Sequence, residues 1–444
     1  MSGLPKGWAQ VPLGKFAAKT KNLDPSKFPT EIFELYSVPS FSTGLPEVVP
    51  GSEIKSSKQI VLPGDVLLCK IVPHINRVWT VPSLKKHRQI ASGEWIVYRD
   101  HGCEPHYLCY CLSEGSFREQ FLSTVAGVGG SLMRARPSEV EKIQVPIPSL
   151  PEQRRIVAKL DNLTGSTART REQLGRIPKL IQKYREAILA AAFTGELTRE
   201  WRHIYPSSPI VRVTSKAPID GRAADLETLP DTWAWTAFGN TSLVSGGLTK
   251  NSKREALPFK VPYLRVANVY ANELRLDEIS EIGCTPAELS KTRLQSGDLL
   301  IVEGNGSIDQ IGRVAIWASE IEGCSHQNHI IRARMSAGFD PKYALFWLIS
   351  PAGRHAIERV ASSSSGLHTL SISKVSSLPF PICGMLEQQE IVRRIETAFA
   401  WLDRVAVEHA NASRLLPRLD QAILAKAFRG ELTTRIESTG HEKV

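Results

Sequence analysis

From Pro151 to Ala192 apolar residues recur three or four positions apart, at Ile156, Val157, Leu160, Leu163, Leu174, Ile177, Ile181, Tyr184 and Ile188, with Arg, Lys, Glu and Gln between them. This period lays one apolar stripe along a helix. A second stretch repeats it at Ile391, Val392, Ile395, Phe399, Leu402, Leu415, Leu416, Leu419 and Ile423. At 1.5 Å per residue, roughly 40 residues make a rod of about 60 Å. A narrow stripe on so long a helix needs a partner, and the other stretch is the obvious one. Pro178 and Pro417 interrupt the pattern. Proline lacks the backbone donor and clashes with the preceding turn, so a kink or a restarted helix is expected at each. Gly195 and Gly430 stand where C-terminal caps belong.

Outside these rods the apolar runs are short. "VLPGDVLLCKI" and "LQSGDLLIVEG" each read as a turn feeding a buried strand, and "PHYLCYCLSEG" and "PKYALFWLISP" each read as a short amphipathic helix. The two globular regions are therefore expected to be mixed, and the fold class α+β.

The chain also repeats itself. "AFTGELT" begins at Ala192 and "AFRGELT" at Ala427, 235 positions on. At the same offset "LPEQRRIVAKLD" falls on "MLEQQEIVRRIE", so that Glu152, Gln153, Ile156 and Val157 match Glu387, Gln388, Ile391 and Val392. The openings "LPKGWAQVPLG" and "LPDTWAWTAFG" match as well. The organisation is a tandem duplication: globular region 1–150, helical spacer 151–198, linker 199–228, globular region 229–385, helical spacer 386–433 and a tail 434–444. Little periodicity and Pro206, Pro209, Pro218 and Gly221 mark the linker.

A length of 444 residues exceeds what one core usually supports, and 42% hydrophobic with 23% charged residues is ordinary globular composition. No apolar run is long enough for a bilayer, and "MSGLPKGWAQ" lacks the features of a secretory signal. Seven Cys without regular spacing fit a reducing compartment, so a cytoplasmic location is expected. A net charge of +10 favours a polyanionic partner.

Candidate chemistry is sparse. His101, Cys103, His106, Cys109 and Cys111 crowd one segment, but the second copy puts Leu345 and Trp347 at the positions of Cys109 and Cys111. The sulfurs therefore read as helix core, and no metal is expected. Lys85, Lys86, His87 and Arg88, with Lys70 and Arg77 nearby, read either as a solvated face or as phosphate contacts. His326, Gln327 and Asn328 suit base edges or phosphate, or else a structural strand edge at the base of a recognition surface. Asn305 and Ser307 lie in a "GNGS" turn able to approach a DNA backbone. "VAGVGGS" (Val125 to Ser131) lacks the Lys-Ser/Thr of a phosphate-binding loop and reads as a flexible loop. No nucleophile triad, methylation, helicase or nuclease signature is present, so an enzyme acting on its own is disfavoured.

"PIPSLPEQRRIVAKLD" with "PFPICGMLEQQEIVRRIE", and "AILAAAFTGELT" with "AILAKAFRGELT", resemble the specificity subunit of type I restriction-modification systems, and the likeness covers nearly the whole chain. Leu386, where the first copy has Pro151, is a small departure at the start of the second helix. The resemblance implies two target recognition domains, each reading one half of an interrupted, asymmetric double-stranded DNA site, joined by two long antiparallel coiled-coil helices. It implies two modification subunits that methylate adenine with S-adenosylmethionine, and restriction motor-nuclease subunits, with no cofactor held by this chain. Phe193, Glu196, Leu197, Phe428, Glu431 and Leu432 in the repeated phrase become candidate partner contacts. The alternative is a free-standing DNA-binding scaffold without modification partners.

Overall fold

The structure is a computed structural model that describes residues 4–83, 86–99, 102–126, 133–205, 213, 217–223, 226–364 and 367–433. The chain forms two compact units, one built from 1–175 with 409–444 and the other from 176–408. The central helix, Leu150–Phe193, and the C-terminal helix, Met385–Phe428, have 44 residues each and contribute to both units. Each helix continues through its proline, so of the two expected outcomes the restart does not occur. Pro178 and Pro417 are both exposed.

In the first unit the two helices run antiparallel. Thr167 Oγ1 donates to Asp420 Oδ1 at 2.7 Å, Arg171 pairs with Asp420 Oδ2 at 2.7 Å, and Lys159 Nζ reaches the carbonyl of Leu432 at 2.9 Å. In the second unit Arg185 pairs with Asp403, and Arg394 Nη1 donates to Leu197 O at 2.7 Å, again antiparallel. The apolar stripe is buried where a globular region lies over it, at Ile156, Leu160, Ile391, Ile395 and Leu402. Leu180, Tyr184, Leu415 and Leu419 on the same stripe are exposed.

The first unit has a three-stranded antiparallel sheet centred on Val66–Cys69, flanked by Val78–Thr80 and Trp95–Tyr98. A five-stranded sheet beside it contains the parallel pair Ile32–Tyr36 and Arg88–Ala91. Ala9–Pro12 pairs with Gln144–Ile147, tying the start of the region to its end. The second unit repeats this frame. Leu299–Val302 lies between Val314–Ile316 and Ile330–Met335, Lys260–Leu264 runs parallel to Ser325–His326, and Ala234–Ala237 pairs with Pro379–Ile382. Between the common elements the units diverge: only the second has a hairpin at Val269–Leu274 followed by a helix at Pro286–Thr292, among the described residues.

The Gly-Asp turns explain part of the repeat. Asp65 and Asp298 are fully buried, and each accepts from the backbone three residues earlier, Leu62 N and Gln295 N, at 2.8 Å. Each also holds one arginine by two hydrogen bonds, Arg99 at 2.6 Å and Arg334 at 2.7 Å. A buried carboxylate demands this many donors. The segment expected as a linker begins with a helix, Arg199–Ile204, because Arg202 is anchored to Glu387 at 2.6 Å. No described helix is long and apolar enough to cross a membrane.

Candidate nucleic-acid interface

In each unit the three repeated phrases converge on one cluster. Phe193 ends the central helix against Tyr343 and Trp347, with ring centroids 5.2 and 5.3 Å away, and Phe428 ends the C-terminal helix against Tyr107 at 5.3 Å. Gly195 and Gly430 follow in the left-handed region, φ 79° and 76°, and cap the helices as expected. A Cβ on either would stand 2.4 Å from a carbon of Pro230 or Pro5, the proline of each Leu-Pro opening. Thr198 Oγ1 donates to Glu387 at 2.8 Å, and Thr433 donates to Glu152. The glutamines beside these glutamates do one job twice. Gln153 Oε1 accepts from Glu104 N at 2.8 Å while its amide donates to Pro148 O at 2.9 Å; Gln388 accepts from Asp340 N and donates to Cys383 O, both at 2.9 Å.

Among the candidate partner contacts, Phe193 and Phe428 are buried inside their own units. Glu196 and Glu431 are exposed, and Leu197 and Leu432 half-buried. Of the sulfur-rich segment, Cys103 and Cys111 are buried in or beside the helix Pro105–Cys111, His106 is exposed, and His101 falls outside the described residues. Among the described residues no three His, Cys, Asp or Glu side chains come together as a metal site.

Lys70, Gln327 and Asn328 lie at or beside one turn that recurs in both units. In the first, Ser92 N donates to Tyr36 O at 3.1 Å and Trp95 N to Ser92 O at 3.2 Å; in the second, Gln327 N donates to Leu264 O and Ile330 N to Gln327 O, both at 2.9 Å. The neighbouring strand continues the match, since Lys70 N donates to Glu94 O at 3.0 Å and Glu303 N to His329 O at 2.9 Å. Lys70 therefore occupies the position of Glu303, and Glu94 that of His329. The acidic side chain takes the opposite place in each pair. Lys70 Nζ stands 4.0 Å from Glu94, which also accepts from Arg134 at 3.0 Å, whereas Glu303 faces His329 Nδ1 at 2.7 Å. Glu94, Arg134 and Glu303 escaped the sequence reading because the repeat is matched here by strand pairing rather than by residue type.

Gln327 is half-buried and accepts from Val266 N at 3.4 Å, and Asn328 lies 3.4 Å from His329 Nε2. Asn305 is on the strand Gly304–Asn305 and pairs with His368, and the exposed Ser307 follows it. Lys86 and Arg88 are exposed and His87 half-buried; Arg88 already pairs with Glu31 at 3.0 Å and lies 5.3 Å from the Phe28 ring. Lys85 and residues 127–131 of the glycine-rich segment fall outside the described residues. His326 is a correction to a DNA-facing role, because it is wholly buried with Nδ1 2.9 Å from Ile330 O. Burial and the Arg332 guanidinium push its pKa down to about 4, which keeps the ring neutral. The structural reading of this segment describes His326.

Residues 5–178 match the family model described as type I restriction modification DNA specificity domain. The chain is 29% identical over 334 residues to the type I restriction enzyme EcoKI specificity subunit of Escherichia coli (strain K12), covering 74% of this chain and 66% of that one. It is 27% identical over 367 residues to the EcoDI specificity subunit of Escherichia coli, covering 80% and 76%. The chain thus spans about two thirds of the length of the first of these relatives. In fold it is similar to a chain solved in work on complex assembly and conformational transition of the type I R-M system, with a TM-score of 0.71, 21% identity and 97% and 100% of the two chains covered. It is also similar to the HsdS subunit from Thermoanaerobacter tengcongensis, with a TM-score of 0.61, 22% identity and 96% and 98% covered.

Proposed function

We infer that this chain, which belongs to the family of type I restriction-modification specificity subunits, is a non-catalytic DNA-binding subunit that recognises a bipartite, asymmetric site. One observation carries the reading: the two units share a frame, while the side chains at the equivalent turn differ in kind, with Lys70 and Glu94 in one and Glu303 and His329 in the other. A duplicated frame presenting different polar groups suits a DNA site whose halves differ in sequence. Lys70, Arg77, Lys85, Lys86, His87, Arg88, Asn305, Ser307, Gln327 and Asn328 are the proposed DNA contacts, joined by Glu94 and His329.

The proposed partners are two modification subunits and the restriction motor-nuclease subunits. A duplicated chain offers equivalent docking surfaces to two identical partners. Adenine methylation then draws on S-adenosylmethionine bound by those partners, and the present chain holds no cofactor. Glu196, Leu197, Glu431 and Leu432 remain candidate contacts with them. Co-expression with the cognate modification subunits is expected to give adenine methylation at one bipartite motif. Methylation that persists unchanged when this chain is deleted overturns the reading.

A further inference from the structure

Strand pairing fixes one more equivalent position. Cys69 N donates to Arg77 O at 3.0 Å and Val302 N to Arg313 O at 2.8 Å, within the segments Ile75-Asn76-Arg77-Val78 and Ile311-Gly312-Arg313-Val314. Asn76 and Gly312 both have positive φ, 48° and 65°, so the chain turns the same way into each arginine. Both side chains are half-buried. Each guanidinium has one buried nitrogen without an acceptor, Nη1 of Arg77 and Nε of Arg313.

Neither arginine is paired with a carboxylate among the described residues. Arg77 lies beside the Cys69 thiol, and Arg313 stands 5.1 Å from the centre of the Tyr270 ring, which Arg275 also covers at 3.8 Å. The other equivalent arginines, Arg99 and Arg334, are each clamped by a buried aspartate. A cation partly withdrawn from water without a counter-charge costs stability. Its occurrence at the same place in both copies points to an anion from outside the chain.

The neighbours identify what kind of anion. Lys70, Glu94 and Arg134 are replaced in the second unit by Glu303, His329 and Thr369, the last fixed by Ala135 N to Lys70 O at 2.8 Å and Leu370 N to Glu303 O at 2.7 Å. Of the charged residues matched here among the described ones, Arg77 and Arg313 keep their type. A group shared by two halves that read different bases serves the part of DNA that is the same everywhere, its phosphates.

We propose that Arg77 and Arg313 are one phosphate anchor used twice, each holding its unit on the DNA backbone while the exchanged side chains beside it meet the bases. The proposal rests on the DNA-binding reading above. The test is binding of the full chain to a mixed-sequence duplex of about 40 base pairs over a range of salt concentrations. Arg77→Gln and Arg313→Gln are each expected to make the plot of log affinity against log salt shallower by about 0.9, and the double variant by about twice that. Arg77→Lys and Arg313→Lys, which keep the charge, retain the wild-type slope. In the unsubstituted chain, DNA is expected to protect both arginines from phenylglyoxal, a readout that no folding defect can imitate. Wild-type binding with an unchanged slope in both Gln variants, or arginines modified equally with and without DNA, overturns the anchor alone. A wild-type chain that binds no duplex overturns the DNA-binding reading and the anchor with it.

Discussion

The hydroxyl of Thr198 donates to Glu387 Oε1 at 2.8 Å, joining the last residue of one repeated phrase to the Glu of another. Glu387 is 2% exposed and also accepts from Arg202 at 2.6 Å and from Trp233 Nε1 at 2.9 Å. Glu387→Ala strips three donors of their acceptor and is expected to destabilise the second unit by about 3 kcal/mol. Its counterpart Glu152→Ala costs less, because the Glu152 side chain is 17% exposed and water can replace it. Chemical denaturation followed by tryptophan fluorescence checks both, and equal losses would contradict the argument.

Gln153 and Gln388 make a second matched pair. Truncating Gln388 to Ala leaves the amide of Asp340 and the carbonyl of Cys383 without that partner. A loss of about 1 to 3 kcal/mol is expected. Gln388→Glu keeps the acceptor but removes the donor to Cys383 O, so it is expected to be destabilising as well. Faster amide exchange at Asp340 in the Ala variant, but not in the Glu variant, is the specific sign.

His326 gives the second unit a pH dependence. Its pKa is lowered from 6.5 to about 4 in the fold, so between these values the unfolded chain binds a proton that the folded one refuses. Stability is therefore full above about pH 6.5 and falls as the pH drops toward 4, by roughly 3 kcal/mol in all. Unfolding measured across this window should show the loss, and His326→Gln should remove it. A His326→Gln variant with the same pH profile as the parent would falsify the assignment.

The exchanged pair predicts a change of specificity. Glu303→Lys together with His329→Glu installs in the second unit the pairing of the first. In the co-expressed system the methylated motif is expected to change in one half-site only. Methylome sequencing reads this directly, and a motif altered in both halves, or in neither, would count against the site.

Much of the frame was legible in the sequence. The apolar period located both long helices, and the repeated phrases announced the duplication. The roles of Glu152, Gln153, Glu387 and Gln388 were not legible, because their partners lie elsewhere in the chain and hydrogen-bond geometry leaves no periodic trace. Continuity through Pro178 was not legible, because the lost donor and the ring clash are local and do not decide whether a helix resumes. His326 was ambiguous because the same residue type serves a base contact and a neutral core acceptor equally well. The match of Arg77 with Arg313 appears only once hydrogen bonds align strands whose intervening loops differ.

The first unit is discontinuous in the chain, since residues 1–175 are completed by the segment that begins at residue 409. The second, residues 176–408, is an uninterrupted stretch lying between those two pieces. On a translating ribosome the order of birth is thus the reverse of the order of completion: the later-made unit has all its parts first, and the earlier one waits, its Tyr107 uncovered, until Phe428 emerges. A nascent chain released before that point would present the uncovered side of Tyr107 to solvent, as expected where the last helix closes the first fold.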